Sequence, residues 1–238
     1  MIEYVLWVTA TLRTVAIPRQ IRRRAVGHWT PRYVRDRVRQ VLYQRAHPDA
    51  PWLTPEAIGL LGSMVRPTDA GAEFGSGRST LWLAQRCGSL ISVEHDQTWH
   101  AKVSGALANH GMTHVDYQCH PYDEPDANGD RSAYARVAKN LADESLDFAL
   151  VDGMYRDHVA LFLLPKIRVG GLLIIDNVNW FLPSATLSPK SVPPSGTPVT
   201  AAWAQVGAAL SQWRRIWTSC GITDTAIFVK ASGSGRTD

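Results

Sequence analysis

The stretch Glu73-Phe-Gly-Ser-Gly-Arg-Ser79 decides the fold of this 238-residue chain. It closes a short apolar run, which is typical of a strand, and opens a helical pattern. A glycine turn between a strand and a helix lets the backbone approach a ligand, to which the helix presents free N–H groups. Glu94 ends the next apolar run, where an acid can accept hydrogen bonds from two ribose hydroxyls. Together the turn and the acid predict a nucleotide-like cofactor at the first strand.

Thr80 narrows the choice of cofactor. The NAD-binding pattern is Gly-x-Gly-x-x-Gly, and Thr80 stands where its third glycine would be. An NAD oxidoreductase is therefore disfavoured, although the turn alone does not exclude it. A non-catalytic nucleotide-binding module is a further alternative.

Short apolar runs alternate with helical patterns along the middle of the chain. Such alternation predicts an α/β fold whose parallel strands are buried on both faces. Two further runs near the end predict a closing β-pair. We therefore expect a Rossmann-like, mostly parallel seven-stranded sheet with helices on both faces. The predicted strands are residues 70–74, 90–94, 115–119, 146–151, 171–175, 215–218 and 225–229.

Charge divides the chain into a basic extension and a body. Residues 1–50 hold ten Arg and no Lys against three acids. They predict a helical extension, broken at Pro18 and Pro31, before a catalytic domain over 51–230 and a disordered tail over 231–238. Such an arm can bind nucleic acid, an anionic membrane or an acidic substrate, or form a solvated or subunit-contact surface. We favour the last reading and expect a homodimer built through residues 1–46.

Cysteine usage and hydropathy bear on location. Three cysteines without a Cys-x-x-Cys pair fit neither a disulfide framework nor a zinc site, so we expect a cytoplasmic protein. The apolar stretch Tyr4 to Ile17 is shorter than the ~20 residues of a membrane span, so no transmembrane segment is expected. Five prolines over 181–199 predict a long loop that is either a lid over a site or disordered.

The motif residues resemble a known family. Glu73 to Ala84, then Ser92-Val-Glu-His-Asp96 with Trp99, is similar to class I S-adenosylmethionine (SAM) dependent methyltransferases, in particular the bacterial group labelled methyltransferase family 24. The likeness spans roughly residues 50–180 and implies the class I methyltransferase fold with SAM as cofactor. It places Glu73 and Gly75 at the methionine end, Glu94 at the ribose and His95 along the adenine. The implied cofactor-binding residues are Glu73, Gly75, Ser76, Gly77, Ser79, Glu94, His95 and Asp152.

Acids also follow the fourth and fifth predicted strands. Asp152 and the pair Asp176-Asn177 should converge at the carboxyl edge of the sheet, where oxygen ligands suit Mg²⁺. The arrangement resembles the catechol-type O-methyltransferases, which hold a divalent metal there, and so implies Asp152, Asp176 and Asn177 as ligands. Those enzymes usually have a basic residue where this chain has Tyr155. The alternative is that the acids support the loops or hold a substrate hydroxyl without a metal.

The predicted reaction is Mg²⁺-assisted methylation of a hydroxyl group. His158 is the first candidate for the general base, because its ordinary pKa lies near neutrality, and Asp152 and Tyr155 are rivals. Arg156 is expected to clamp a carboxylate or phosphate of the acceptor, or to pair with a surface acid.

The acceptor is predicted to be a small molecule, with a preference for a sugar or oligosaccharide. The aromatic pair Trp180-Phe181 could stack on a sugar, and 20 Arg against 5 Lys indicates a GC-rich genome. The chain is also similar to mycobacterial enzymes that methylate mannose-based polysaccharides. The alternatives are a catechol-like phenol, or a nucleic acid bound by the basic arm. The sequence lacks the Asn-Pro-Pro-aromatic motif of amino-group methylation on bases, so no nucleic-acid partner is expected.

Overall fold

A computed structural model describes residues 30–122 and 129–232. These residues form one seven-stranded sheet flanked by helices. The helices are α1 (Pro31–Ala46), α2 (Pro55–Met64), α3 (Arg78–Ala84), α4 (Gln97–Asn109), α5 (Ala133–Asn140), α6 (Arg156–Leu163) and α7 (Ala201–Leu210), with a 3₁₀ turn at Val178–Trp180. The strands are β1 (Ala70–Phe74), β2 (Ser89–Glu94), β3 (Val115–Cys119), β4 (Leu146–Val151), β5 (Ile167–Asp176), β6 (Arg214–Ser219) and β7 (Asp224–Val229).

The sheet has the order β3-β2-β1-β4-β5-β7-β6. Strands β1 to β5 are parallel, whereas β7 runs antiparallel to both β5 and β6. The predicted α/β fold with a mostly parallel sheet and a closing β-pair is confirmed. The direction of the connections reverses between β1 and β4, and ligands of open parallel sheets bind outside the strand ends at such a reversal.

Both faces of the sheet are buried, as continuous apolar strands require. Along β4, Ala149 and Val151 pack into one core cluster, and Phe148 and Leu150 pack into the other. Alternate side chains of a strand point to opposite faces, so one apolar strand supplies both cores. The functional groups are thereby left to the strand ends.

Helix α1 forms and Tyr43 packs against the body, but other apolar side chains of the helix stay exposed. Thr30 caps it by accepting a hydrogen bond from the Tyr33 amide at 3.2 Å. Val34, Val38 and Leu42 are exposed at 46%, 52% and 58%, whereas Asp36 is the buried residue of the helix. The predicted helices within residues 1–29 lie outside the described residues, so the extension and its subunit contact stay predictions.

Helix α2 begins at Pro55, directly after its N-cap residue Thr54. The Thr54 side chain makes no capping hydrogen bond. Its hydroxyl instead lies 2.5 Å from the Thr218 hydroxyl, and its amide donates to Thr225 Oγ1 at 3.2 Å. Thr54 therefore attaches α2 to the antiparallel end of the sheet.

The proline-rich segment 181–199 is attached to the body through Asn179, a fully buried residue. The Asn179 amide nitrogen donates to Pro189 O at 3.2 Å and to Ser191 Oγ at 2.9 Å. Its side-chain oxygen accepts from the Asp224 amide at 3.3 Å. These hydrogen bonds hold the segment to the body, and its role as a lid over a site stays a prediction.

Two further expectations concern the described residues as a whole. Within them, no helix combines the length and apolar character needed to cross a membrane. Cys87, Cys119 and Cys220 are free thiols. Residues 231–232 are the only part of the predicted tail that the structure describes.

Candidate active site

Gly75 turns the chain from β1 into the loop before α3. Its φ of +100° lies in the left-handed region that favours glycine. A Cβ at this position would lie 2.5 Å from the Gly153 nitrogen, so a side chain would displace the loop after β4. The Asp152 amide donates to Phe74 O at 2.8 Å and keeps the two loops together. The turns after β1 and β4 therefore form one continuous surface at the predicted cofactor site.

Glu73 is a fully buried acid directly beneath this surface. Its Oε2 accepts hydrogen bonds from Thr80 Oγ1 at 2.6 Å and from Ser92 Oγ at 2.7 Å. Burial raises the pKa of Glu73 to about 7, and the neighbouring hydroxyl groups offset only part of that rise. Its other oxygen, Oε1, makes no hydrogen bond of normal geometry with the described residues. Glu73 therefore offers a buried acceptor oxygen to a ligand.

Glu94 ends β2 and is buried as an ionised carboxylate. Its Oε2 accepts from the Ser76 amide at 3.1 Å and from Ser76 Oγ at 2.6 Å. Its Oε1 accepts from the amides of His95 at 2.8 Å and Asp96 at 2.9 Å. Burial works against the charged form, but these donors and the His95 ring outweigh it and lower the pKa of Glu94 to about 2. The predicted ribose acid is therefore ionised and fixed beside the glycine turn.

The remaining predicted cofactor residues line the same loop. The Trp99 indole donates to Ser76 O at 2.9 Å and fixes the turn from the side of α4. Ser79 is buried at the start of α3, and Gly77 precedes it as the helix cap. His95 Nδ1 lies 2.8 Å from Glu94 Oε1. The structure therefore brings the sequence-predicted cofactor residues together around one edge.

Tyr134 belongs to this edge, although no motif in the sequence points to it. Its ring lies edge-on to Phe74, with centroids 5.8 Å apart, and edge-on to His95 at 6.3 Å. The side chain is 1% exposed, and a Cβ on Gly153 would overlap its hydroxyl. In the sequence Tyr134 resembles any apolar position of an amphipathic helix. Only the packing of α5 on the strand ends reveals its place.

The Arg156 guanidinium lies between the ends of β4 and β5. Nε donates to Gly153 O at 2.9 Å, and Nη1 donates to Asp176 O at 2.7 Å and Asn177 Oδ1 at 3.0 Å. Nη2 donates to Asp152 O at 2.7 Å and forms an ion pair with Asp152 Oδ1 at 2.9 Å. The prediction that Arg156 clamps a substrate anion is wrong for this arrangement, because the five N–H donors of a guanidinium are all used within the protein.

The predicted metal ligands are neighbours, but one side-chain oxygen of each is already engaged within the protein. Asp152 and Asn177 each direct an oxygen to Arg156, and Asp176 Oδ1 accepts from Thr225 Oγ1 at 2.7 Å. Mg²⁺ requires near-octahedral oxygens at about 2.0–2.1 Å. Within the described part of the chain, no group of three or more His, Cys, Asp or Glu residues could hold a metal ion. The arrangement does not support the predicted Mg²⁺, because a fixed cation stands where the ligands meet.

The candidate bases differ in their surroundings. His158 Nδ1 lies 3.1 Å from Asp157 Oδ1, and the ring packs close to Gly129 and, with centroids 6.2 Å apart, to Phe162. These contacts lie within α6 and with the segment before α5. Asp152 lies against the glycine turn, since its carbonyl carbon would be 2.7 Å from a Cβ on Gly75. Of the two, Asp152 borders the cofactor surface directly.

Aromatic side chains surround the entrance. Tyr155 has a φ of +46°, and its ring stacks on Tyr122 at 5.9 Å. Phe181 stacks on the buried Trp203 at 4.8 Å and so belongs to the core beneath the proline-rich segment. Trp180 contacts the Lys190 ammonium at 5.0 Å. Of the predicted stacking pair, Trp180 is the member that stays outside the core.

Comparison with solved structures agrees with this architecture. A Staphylococcus aureus protein, provisionally named a caffeoyl-CoA O-methyltransferase, has a TM-score of 0.52 and 14% identity over 87% of this chain and 95% of that one. An O-methyltransferase family protein from Burkholderia thailandensis has a TM-score of 0.48 and 13% identity, over 85% of this chain and 60% of that one. An rRNA methylase from Streptococcus thermophilus has a TM-score of 0.48 and 12% identity, over 77% of this chain and 100% of that one. At such identities the first likeness shows the fold alone.

No protein-family model matches the chain, and no curated protein matches it. The likeness to the Staphylococcus aureus structure shows only that the fold is shared with a protein provisionally named a methyltransferase. The resemblance to family 24 and to polysaccharide methyltransferases stays a prediction.

Proposed function

We propose that this protein is a SAM-dependent methyltransferase that methylates a hydroxyl group of a small molecule. The observation that carries the proposal is the pair of buried acids on either side of Gly75. Glu94 is an ionised acceptor at the end of β2, and Glu73 offers an unused oxygen below the turn. SAM carries a ribose diol and an ammonium group, which are the donors that such acceptors bind.

The residues of the turn divide the work of binding. A carboxylate has about four lone-pair sites, so Glu94 can exchange the Ser76 hydroxyl for a ribose hydroxyl while its backbone donors remain. Gly75 keeps the backbone close enough for the methionine end, and Tyr134 and His95 border the adenine side. When bound, SAM supplies an electrophilic methyl group on a sulfonium.

We assign the base to Asp152 in preference to His158 and Tyr155. A hydroxyl acceptor must lose its proton as the methyl group is transferred, and a positioned base typically contributes ~10²–10⁴-fold. Asp152 borders the cofactor turn, and Arg156 engages its Oδ1. Its Oδ2 is the atom that would take the proton. No step through a metal ion is needed.

The aromatic side chains near the ends of β4 and β5 bear on the class of acceptor. We keep the preference for a sugar or oligosaccharide, which Trp180 supports as an aromatic platform outside the core. A catechol-like phenol is the competing acceptor. Assays with labelled SAM on methylmannosides, catechols and a short RNA distinguish these classes. Transfer confined to the phenols contradicts the sugar preference, and transfer confined to RNA contradicts the small-molecule proposal.

Calorimetric titration with SAM and with NADH tests the cofactor. We expect SAM to bind and NADH not to bind. Glu94→Gln should weaken SAM binding at least ~10-fold, because hydrogen bonds to a charged group contribute about 1.5–3 kcal/mol. Asp116→Asn is the matched control, since Asp116 is an exposed acid on the neighbouring strand that is bonded to Gln118. NADH binding, or equal SAM affinity in both variants, contradicts the proposal.

A further inference from the structure

The cation at the carboxyl edge of this sheet is part of the chain. The Arg156 side chain is 16% exposed and uses all five of its N–H donors on protein oxygens. Three of the acceptors are backbone carbonyls, those of Asp152, Gly153 and Asp176. Because these carbonyls follow β4 and β5, the guanidinium joins the ends of two adjacent strands.

Arg156 also engages the side-chain oxygens of two of the three predicted metal ligands. Asp152 Oδ1 and Asn177 Oδ1 accept from the guanidinium at 2.9 and 3.0 Å. The Asn177 amide nitrogen donates to Thr223 Oγ1 at 2.5 Å, which fixes the direction of its oxygen toward Arg156. An arginine is always protonated, so a divalent ion at this position would meet a fixed positive charge.

We propose that Arg156 does here what a divalent ion would do, and that methyl transfer by this protein needs no metal. The inference deepens the proposed methyltransferase function and rests on it. Arg156 is a positioning residue: it joins the ends of β4 and β5, and it pairs with Asp152 Oδ1 and so holds that carboxylate beside those strand ends. Unlike a metal, it does not contact the acceptor, since no N–H donor remains for it. The acceptor proton passes to Asp152 Oδ2.

Metal binding is the first test, and it does not depend on activity. Mn²⁺ is the probe, followed by electron paramagnetic resonance on the full chain after chelation. We expect free Mn²⁺ only, and turnover on the acceptor found above that is unchanged by EDTA. Stoichiometric Mn²⁺ binding, or activity lost on chelation and restored by Mg²⁺, overturns the proposal.

Variants test the positioning role. Arg156→Ala should lower kcat ~10²-fold or more, because a displacement of about 1 Å in an active site can cost that much. Its kcat–pH profile should shift to higher pH, since the cation that favours ionised Asp152 is gone. Arg156→Lys keeps the charge but has three donors, so it should restore the pH profile more than kcat.

The matched control is Arg168→Ala. Arg168 pairs with Asp147 and so joins the same two strands at their opposite ends. We expect it to retain full kcat and the wild-type pH profile. Equal kcat losses in the two variants, with no shift in the pH profile, show that Arg156 is only structural and overturn its positioning role.

The outcomes separate this inference from the proposed function. Failure of the wild-type chain to bind SAM refutes the methyltransferase proposal, and the Mn²⁺ spectrum then still decides whether Arg156 excludes a metal. If Arg156→Ala does not fold, the Mn²⁺ spectrum of the wild type and the kcat–pH profile of Arg156→Lys decide instead. A Lys variant with wild-type kcat contradicts the need for a five-donor side chain.

Discussion

At the scale of the residue, a carboxylate gains its role from its neighbours. Glu73 and Glu94 are both buried, yet burial raises the pKa of one to about 7 while amide and hydroxyl donors lower the pKa of the other to about 2. Glu73 Oε2 receives two hydroxyl groups, whereas Glu94 receives amide donors on both oxygens. The same side chain therefore has a raised pKa at one strand end and is an anion at the next.

The choice of base is decided by comparing two variants. Asp152→Asn keeps an oxygen for Arg156 but cannot take a proton, so kcat should fall ~10²-fold or more while SAM still binds. His158→Ala should change kcat only a few-fold, because its ring contacts Asp157, Phe162 and Gly129 and not the glycine turn. Steady-state kinetics on the identified acceptor measure both. Asp143→Asn, an exposed carboxylate paired with Lys166, is the control. Loss of turnover in the His158 variant alone would reinstate histidine as the base.

The acids were predictable from sequence, whereas the arginine was not. Glu73, Glu94, Asp152 and Asp176 stand directly at the ends of apolar runs, and a parallel sheet brings such ends together. Three of the acceptors of Arg156 are backbone carbonyls, which every residue possesses. The sequence does not indicate which backbone carbonyls face a given side chain. The sequence alone therefore predicts a metal at the position where the Arg156 guanidinium lies.

At the scale of the element, one asparagine attaches the proline-rich segment. Asn179→Ala should free residues 183–199, because it removes two donor bonds to the segment and leaves Ser191 and Pro189 without that partner. Hydrogen exchange of the segment should rise at least ~5-fold, since a net hydrogen bond is worth about 1 kcal/mol. Asn140→Ala, an exposed position on α5, is the control. Unchanged exchange would show that the prolines alone hold the segment.

Strands were easier to predict than their surroundings. Both ends of β4 lie where the apolar run ends, because five of its six side chains are needed in one of two cores. The proline-rich segment is held by the side-chain amide of Asn179, whose partners are Pro189, Ser191 and Asp224. The sequence does not indicate these pairings. Helix α1 forms within the predicted helical extension, but Val34, Val38 and Leu42 are exposed. Hydrophobic periodicity predicts the apolar face of a helix and not what that face contacts.

At the scale of the whole molecule, the buried acids set the response to pH. The pKa of Glu73 is about 7 in the folded chain against an ordinary value of 4.5, so the folded state holds its proton more tightly than the unfolded state. Stability from this group is therefore present below pH 4.5 and is lost as pH rises to about 7, at about 1.4 kcal/mol per pKa unit. Glu94 has a lowered pKa and acts in the opposite direction. The stability that it contributes to the folded chain is lost as pH falls from 4.5 toward 2.

Thermal unfolding of the wild type and of Glu73→Gln between pH 4.5 and 8 isolates this contribution. The amide of the variant cannot ionise. The unfolding temperature of the variant should therefore rise by several degrees relative to that of the wild type as pH rises. The conversion is about 2–4 °C per kcal/mol for a chain of this size. Glu56→Gln on α2 is a control whose difference from wild type should stay constant. Parallel curves for wild type and Glu73→Gln would show that Glu73 stays ionised.

The contact between Gly75 and Gly153 also decides when the nascent chain can first bind the proposed cofactor, SAM. As the protein leaves the ribosome, β1 and its turn emerge long before β4, which completes the surface beside Gly75. Pairing between distant segments forms late, because loop closure must precede it. A partly synthesised chain is therefore expected to lack SAM until Gly153 has emerged. Cofactor retention can then report on completed folding, but SAM cannot assist its first steps.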